Sequence, residues 1–138
     1  MRVVLDTNVV LSGFFFGGLP GHVLEAWRNG HMTLVLSAPI LAEYREAGAA
    51  FEASYGGSDF ETFAALLVLR AEIVDAPEFL PQQVCRDPDD DKFLACAIAA
   101  GAGLVISGDK DLRAVSGWGG IEVLTPRQFL DRYVPGSA

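Results

Sequence analysis

The chain is predicted to fold as an α/β protein, with a central, mainly parallel sheet of about five strands between two layers of helices. Strand-like and helix-like segments alternate from end to end, which is the pattern of a parallel sheet with crossover helices. No repeat, low-complexity tract or shift in composition marks a linker, and only Gly56-Gly57 and Pro77 to Pro88 read as loops. Residues 1–138 are therefore expected to form a single domain. A chain of this size buries roughly two-thirds of the surface its unfolded form exposes.

Val3 to Leu5 is a short buried strand. Pro20 to Gly30 follows as a helix opened near proline, closed by glycine, and carrying Val23, Leu24 and Trp27 on one face. Thr33 to Leu36 is a second strand, after which Ser37 is placed to cap a helix from Ala38-Pro39 that turns Ile40, Leu41 and Tyr44 inward. Ser58 and Glu61 form a capping box ahead of a helix through Leu69, and Ile73-Val74 is a third strand. Asp89 to Ala100 is a helix with acids in its first turn, as the macrodipole favours, ended by Gly101 and Gly103. Leu104 to Ser107 is a strand, Asp109 to Val115 a short helix and Ile121 to Leu124 the last strand. Thr125-Pro126-Arg127-Gln128 then opens a helix with a capping box and a proline at its first position.

In such sheets ligands bind beyond the carboxyl ends of the strands, and four acidic clusters fall there. Asp6 directly follows the first strand, Asp109 comes two residues after the fourth, Glu43 lies about two turns into the helix leaving the second, and Asp90 or Asp91 begins a helix leading to the fourth. Carboxylates within ~5 Å repel by roughly 3 kcal/mol per pair at an effective dielectric near 20, so a shared pocket needs protons or cations. Oxygen donors without clustered His or Cys suit hard cations such as Mg2+ or Mn2+, whose usual partners include substrate phosphates. A phosphate ester is the implied substrate.

Each cluster also has a plainer reading. Asp-Thr-Asn after a strand is a common turn, Glu43 could be a solvated helix residue, and Asp87 to Asp91 or Asp109 could serve as helix caps. Three acids at Asp89, Asp90 and Asp91 exceed what capping requires, and shared placement at one edge favours a site. Lys110 or Arg113 is placed to touch a substrate phosphate. His22 and His31 lack partners at ligand spacing and receive no chemistry, and Phe14-Phe15-Phe16 reads as core.

The net charge of −8 counts against holding a polyanion through surface cations alone, although bound metal would offset several carboxylates and the arginines could form a local patch. The longest nearly apolar stretch, Phe93 to Ile106, is about 14 residues and too short to span a bilayer, so no membrane association is expected. Met1-Arg2 leads straight into a strand with no signal-peptide architecture, and a cytoplasmic location is expected. Cys85 and Cys96 lie outside any metal-ligand spacing and read as reduced structural thiols.

With Asp6-Thr7-Asn8, Glu43 within Ser37 to Glu43, Asp87-Pro88-Asp89-Asp90-Asp91-Lys92-Phe93 and Ser107-Gly108-Asp109-Lys110-Asp111-Leu112 in that order, the chain resembles the PIN-domain family over nearly its whole length. The resemblance extends to single-domain ribonucleases of the VapC-like toxin type. It implies one PIN-like nuclease domain over 1–138, folded as a three-layer α/β/α sandwich. It implies an acidic quartet of Asp6, Glu43, one of Asp90 or Asp91, and Asp109, with Asp111 as an auxiliary metal ligand and Asn8 and Ser107 as supporting hydrogen bonders. It further implies Mg2+ or Mn2+ as cofactor, RNA as substrate, a cognate antitoxin protein as partner and a homodimer. The reaction would be phosphodiester hydrolysis leaving a 5′-phosphate and a 3′-hydroxyl.

Two rivals remain. A phosphatase with an aspartate nucleophile after the first strand wants a second acid two residues on, where Asn8 stands. A binding module that keeps the fold and acts through partner contacts draws support from the low basic charge, while acids at all four places speak against it.

Overall fold

The computed structural model describes residues 1–57 and 59–136. Strand β1 (Arg2–Leu5) leads into α1 (Thr7–Phe15) and α2 (Gly18–Arg28), then β2 (Thr33–Leu36), α3 (Ala38–Tyr55), α4 (Phe60–Arg70) and β3 (Glu72–Ile73). A long connection and a 3-10 turn at Pro88–Asp90 precede α5 (Asp91–Ala100), β4 (Leu104–Ile106), α6 (Lys110–Arg113), β5 (Glu122–Leu124) and α7 (Pro126–Tyr133). The strands form one sheet in the order β3-β2-β1-β4-β5, every pairing parallel. Register is set by Val3 beside both Leu34 and Leu104, and by Leu104 beside Glu122. Among the described residues, seven helices flank this five-strand sheet, which is the α/β/α architecture expected.

The strands are short and nearly continuous in apolar residues because both faces are covered. Val3, Val4, Leu5, Leu34, Val35, Leu36, Val105 and Ile106 are all fully buried. Tyr44 of α3 is buried too, and its hydroxyl donates to the Leu5 carbonyl at 2.5 Å, tying α3 to the end of β1. Phe14 and Phe15 pack against Phe60 with ring centroids 5.2 and 5.9 Å away, so the core reading of this aromatic run applies to them. Phe16 is exposed and touches only the edge of this cluster, at Phe51.

Several local expectations are met. Thr125 and Gln128 form the reciprocal capping box, with Thr125 N donating to Gln128 Oε1 at 2.9 Å and Gln128 N to Thr125 Oγ1 at 3.1 Å. Gly101 closes α5 with φ 64°, a left-handed conformation that glycine adopts without strain.

Other expectations differ. The sequence reading places no element between Leu5 and Pro20, yet α1 occupies that span because extended Asp6 lends its carbonyl to the amides of Val9 and Val10. Val9, Val10 and Leu11 are all buried there, which erased the helical spacing that would have announced α1. Ser37 does not cap α3 through its side chain, and its buried hydroxyl sits instead beside the Cys96 thiol. Ser58 of the expected capping box lies outside the described residues, and α4 is capped by Asp59, whose carboxylate accepts from Thr62 N at 3.2 Å.

No single helix among the described residues is long and apolar enough to cross a membrane. Helices α1 and α2 together reach that length and composition, but they bend by 97° at their junction and contribute buried residues to the core.

Helix α3 meets α4 at Gly48, where an added Cβ would clash with the edge of the buried Phe60 ring. Gly48→Ala is expected to lower stability by about 1–3 kcal/mol, read as a lower midpoint in chemical denaturation with an unchanged slope.

Candidate active site

The order in which strands are added reverses between parallel β1 and β4, and the carboxyl ends of these two strands carry the first acids. Asp6 continues β1 by donating its amide to the Ile106 carbonyl at 3.0 Å. It caps α1 through its backbone carbonyl alone, so its side chain is left for other work. That carboxylate is 6% exposed and accepts from Ser107 Oγ at 2.6 Å. Ser107 in turn accepts the Asp109 amide at 3.0 Å, so one hydroxyl joins the ends of both strands. Asp109 does cap α6, its Oδ1 taking the Asp111 amide at 3.0 Å, so the plainer turn reading holds for one of its oxygens.

Glu43 projects from the second turn of α3 and is held at both oxygens. Thr7 Oγ1 donates to Oε2, and Lys92 Nζ lies 2.6 Å from Oε1. Thr7, in the first turn of α1, thereby links the first acidic motif to the second.

The aspartate run divides by function. Asp87 caps the 3-10 turn by accepting the Asp89 amide at 3.0 Å, and Asp89 is exposed. Asp91 is 1% exposed, and its two oxygens accept the amides of Cys85 at 2.7 Å and Val84 at 3.1 Å. It fastens the long connection before α5 to the start of that helix. Asp90 makes no capping bond, and its neighbours in charge are Asp6, Asp109, Asp87 and Glu43. Neighbouring positions on a helix point about 100° apart, so one faces the loop and the other faces the acids.

These surroundings are visible in proton affinities. Burial raises Asp6 above the usual carboxylate range, the Ser107 hydrogen bond opposes this, and Asp109 and Glu43 add to the rise. Asp90 is pushed up to about 7, first by burial and then by Asp6, Asp109, Asp87 and Glu43. Burial likewise pushes the Cys96 thiol up to about 11, in keeping with an inert structural role.

Two of the named residues stand apart. Asp111 faces Arg86 at 3.9 Å and is not among the charges that shift Asp6 or Asp90. Asn8 is exposed and, among the described residues, its side chain makes no hydrogen bond. Conversely, Thr7 and Lys92 were not singled out from sequence. A lysine in the first turn of a helix, against the macrodipole, was the available signal for Lys92.

Among the described residues no three His, Cys, Asp or Glu side chains form a ready-made cage for an ion. The donor set still suits a hard cation that keeps most of its waters and takes one or two carboxylates. Asp6, Asp90 and Asp109 offer oxygen only, and their mutual repulsion is what a cation would relieve.

A family model described as PIN domain matches residues 2–111, from β1 to just beyond Asp109. The chain belongs to the PIN-domain family. This PIN domain is similar to the uncharacterized protein MJ1680 of Methanocaldococcus jannaschii, with 27% identity over 143 positions that cover 96% of this chain and 92% of that protein. It shares its fold with a chain of the crystal structure of VapBC2 from Rickettsia felis bound to a DNA fragment from their promoter. There the TM-score is 0.59 at 15% identity, covering 91% of this chain and 98% of that one. The PIN-domain family is one of nucleases, which generally use divalent metal ions.

The two neighbouring aspartates should separate in experiment. In Asp91→Asn, one of the two loop amides faces an NH2 group instead of an acceptor, with an expected loss of about 1–3 kcal/mol in denaturant unfolding. Asp90→Asn is expected to leave stability near pH 7 unchanged or higher. Because Asp90 sits at about 7 when folded against an ordinary 3.8, the folded state binds more protons than the unfolded state between those values. In metal-free protein the contribution of Asp90 is therefore fully present below about 4 and lost as pH rises to about 7, and Asp90→Asn should remove it from the profile. A thermal-unfolding series in chelator across this range tests the sign.

Proposed function

We propose that this PIN-domain protein is a metal-dependent endoribonuclease that hydrolyses RNA phosphodiester bonds, the toxin of a prokaryotic toxin–antitoxin pair. The observation that carries the reading is the convergence of carboxylates from separate parts of the chain on one edge, marked by Asp90, raised to about 7 beside Asp6, Asp109 and Glu43. Asp6, Asp90 and Asp109, with Glu43, are assigned to hold Mg2+ or Mn2+. When bound, such a cation supplies Lewis-acid charge for the phosphate oxygens and acidifies water.

The chain's own groups do the positioning. Ser107 fixes the Asp6 carboxylate, Asp109 is fixed by the Asp111 amide, and Asp91 holds the loop that precedes Asp90. Exposed Lys110 and Arg113 on α6 lie next in sequence to this edge and suit the flanking phosphates of a polyanion. An antitoxin partner is supported by the fold shared with a chain of VapBC2, and a homodimer belongs to the same reading. A second reading, a PIN-fold binding module, draws on the net charge of −8 and on Glu43 being already engaged by Lys92 and Thr7.

End-labelled single-stranded RNA incubated with Mn2+, Mg2+ or chelator distinguishes the two. Cleavage is expected with metal only, to fall at least roughly a hundredfold in Asp6→Asn, and to leave 5′-phosphate and 3′-hydroxyl ends. Equal cutting by Asp6→Asn, or a cyclic phosphate product, would sink the nuclease reading.

A further inference from the structure

We propose that Lys92 is a positioning residue for this edge. It is a resident cation that holds Glu43 in place and neutralises part of the site's charge in competition with a divalent ion. The inference rests on the functional reading above.

Lysine is almost never fully buried unless paired, and the Lys92 side chain is only 6% exposed. It sits in the first turn of α5, where the helix dipole disfavours a cation, so helix stability does not explain it. Its ammonium lies 2.6 Å from Glu43 Oε1 while Thr7 holds Oε2, so α1, α3 and α5 all meet at one carboxylate. A groove of about 470 Å³ opens beside the pair. Its charged lining is Glu43, Glu46, Glu78 and Asp89, with Lys92 the one basic side chain among the described residues there. Two apolar residues commonly join helices about as stably as an ion pair removed from water does, and this pair is half-buried. The charge itself is therefore the feature to explain, and an edge already crowded with carboxylates explains it. Removing one positive charge from beside a dication site strengthens attraction for the dication. The same removal leaves Glu43 held by Thr7 alone.

The test uses the full chain as native protein, Lys92→Met, Lys92→Gln and Lys92→Arg. Free Mn2+ is counted by electron paramagnetic resonance without RNA, and cleavage is then measured at saturating Mn2+. Both neutral variants are expected to bind Mn2+ roughly tenfold more tightly, and Lys92→Met, which leaves Glu43 without its donor, to cleave roughly tenfold more slowly. Lys92→Arg should return Mn2+ affinity to the native value. The glutamine variant keeps a donor to Glu43 and serves if the methionine variant does not fold. Unchanged or weaker Mn2+ binding in a folded neutral variant overturns the proposal, because a mere strut between helices would lose stability without gaining affinity. If native protein and variants show the expected binding but none cuts RNA, the nuclease reading fails and the role of Lys92 stands. If native protein binds no Mn2+, the appearance of binding in a neutral variant supports the role and its absence in all of them overturns it.

Discussion

Repulsion between carboxylates at the carboxyl ends of β1 and β4 is the constraint around which this protein is arranged. Two such charges ~5 Å apart repel by roughly 3 kcal/mol at an effective dielectric near 20, a sizeable part of the 5–15 kcal/mol that holds a typical domain together. The edge answers this in three ways. Asp90 retains its proton up to about 7, Asp6 takes a hydrogen bond from Ser107, and Glu43 is paired with Lys92.

Each answer depends on the sheet beneath it. Strand order β3-β2-β1-β4-β5 sets β1 beside β4, and Asp6 donates its amide to Ile106, so the site begins as the last rung of a ladder. The helices then supply what the strands cannot. Tyr44 ties α3 to β1 at Leu5, which places Glu43 one residue away, and Asp91 fastens the loop at Val84 and Cys85 to the start of α5. Asp91 is thus as buried and as firmly bonded as a core residue while its neighbour Asp90 remains among repelling charges. The division gives one acidic run two roles, since Asp91 orders the start of a helix while Asp90 keeps its oxygens free of capping bonds.

The parallel alternation was legible in the sequence because turn and cap residues punctuate it, with Thr125 and Gln128 the clearest case. The edge position of Asp6 and Asp109 was legible too, since Asp6 directly follows one short apolar strand and Asp109 lies just beyond another. What was hidden depends on distant packing. Helix α1 buries Val9, Val10 and Leu11 in succession, which masks its helical period. Asp90 and Asp91 are chemically identical neighbours, and only the return of the 84–85 backbone tells them apart. Lys92 was not singled out, because its partner lies 49 positions earlier.

The hydroxyl of Ser107 reaches a carboxylate 101 positions upstream. A growing polypeptide therefore carries Asp6 and Glu43 long before the strand that completes their surroundings has been made, and until then β1 presents an unpaired side. The edge is complete only with β4 in place beside β1. A chain that ends before β4 therefore lacks both the hydroxyl that fixes Asp6 and the acid Asp109.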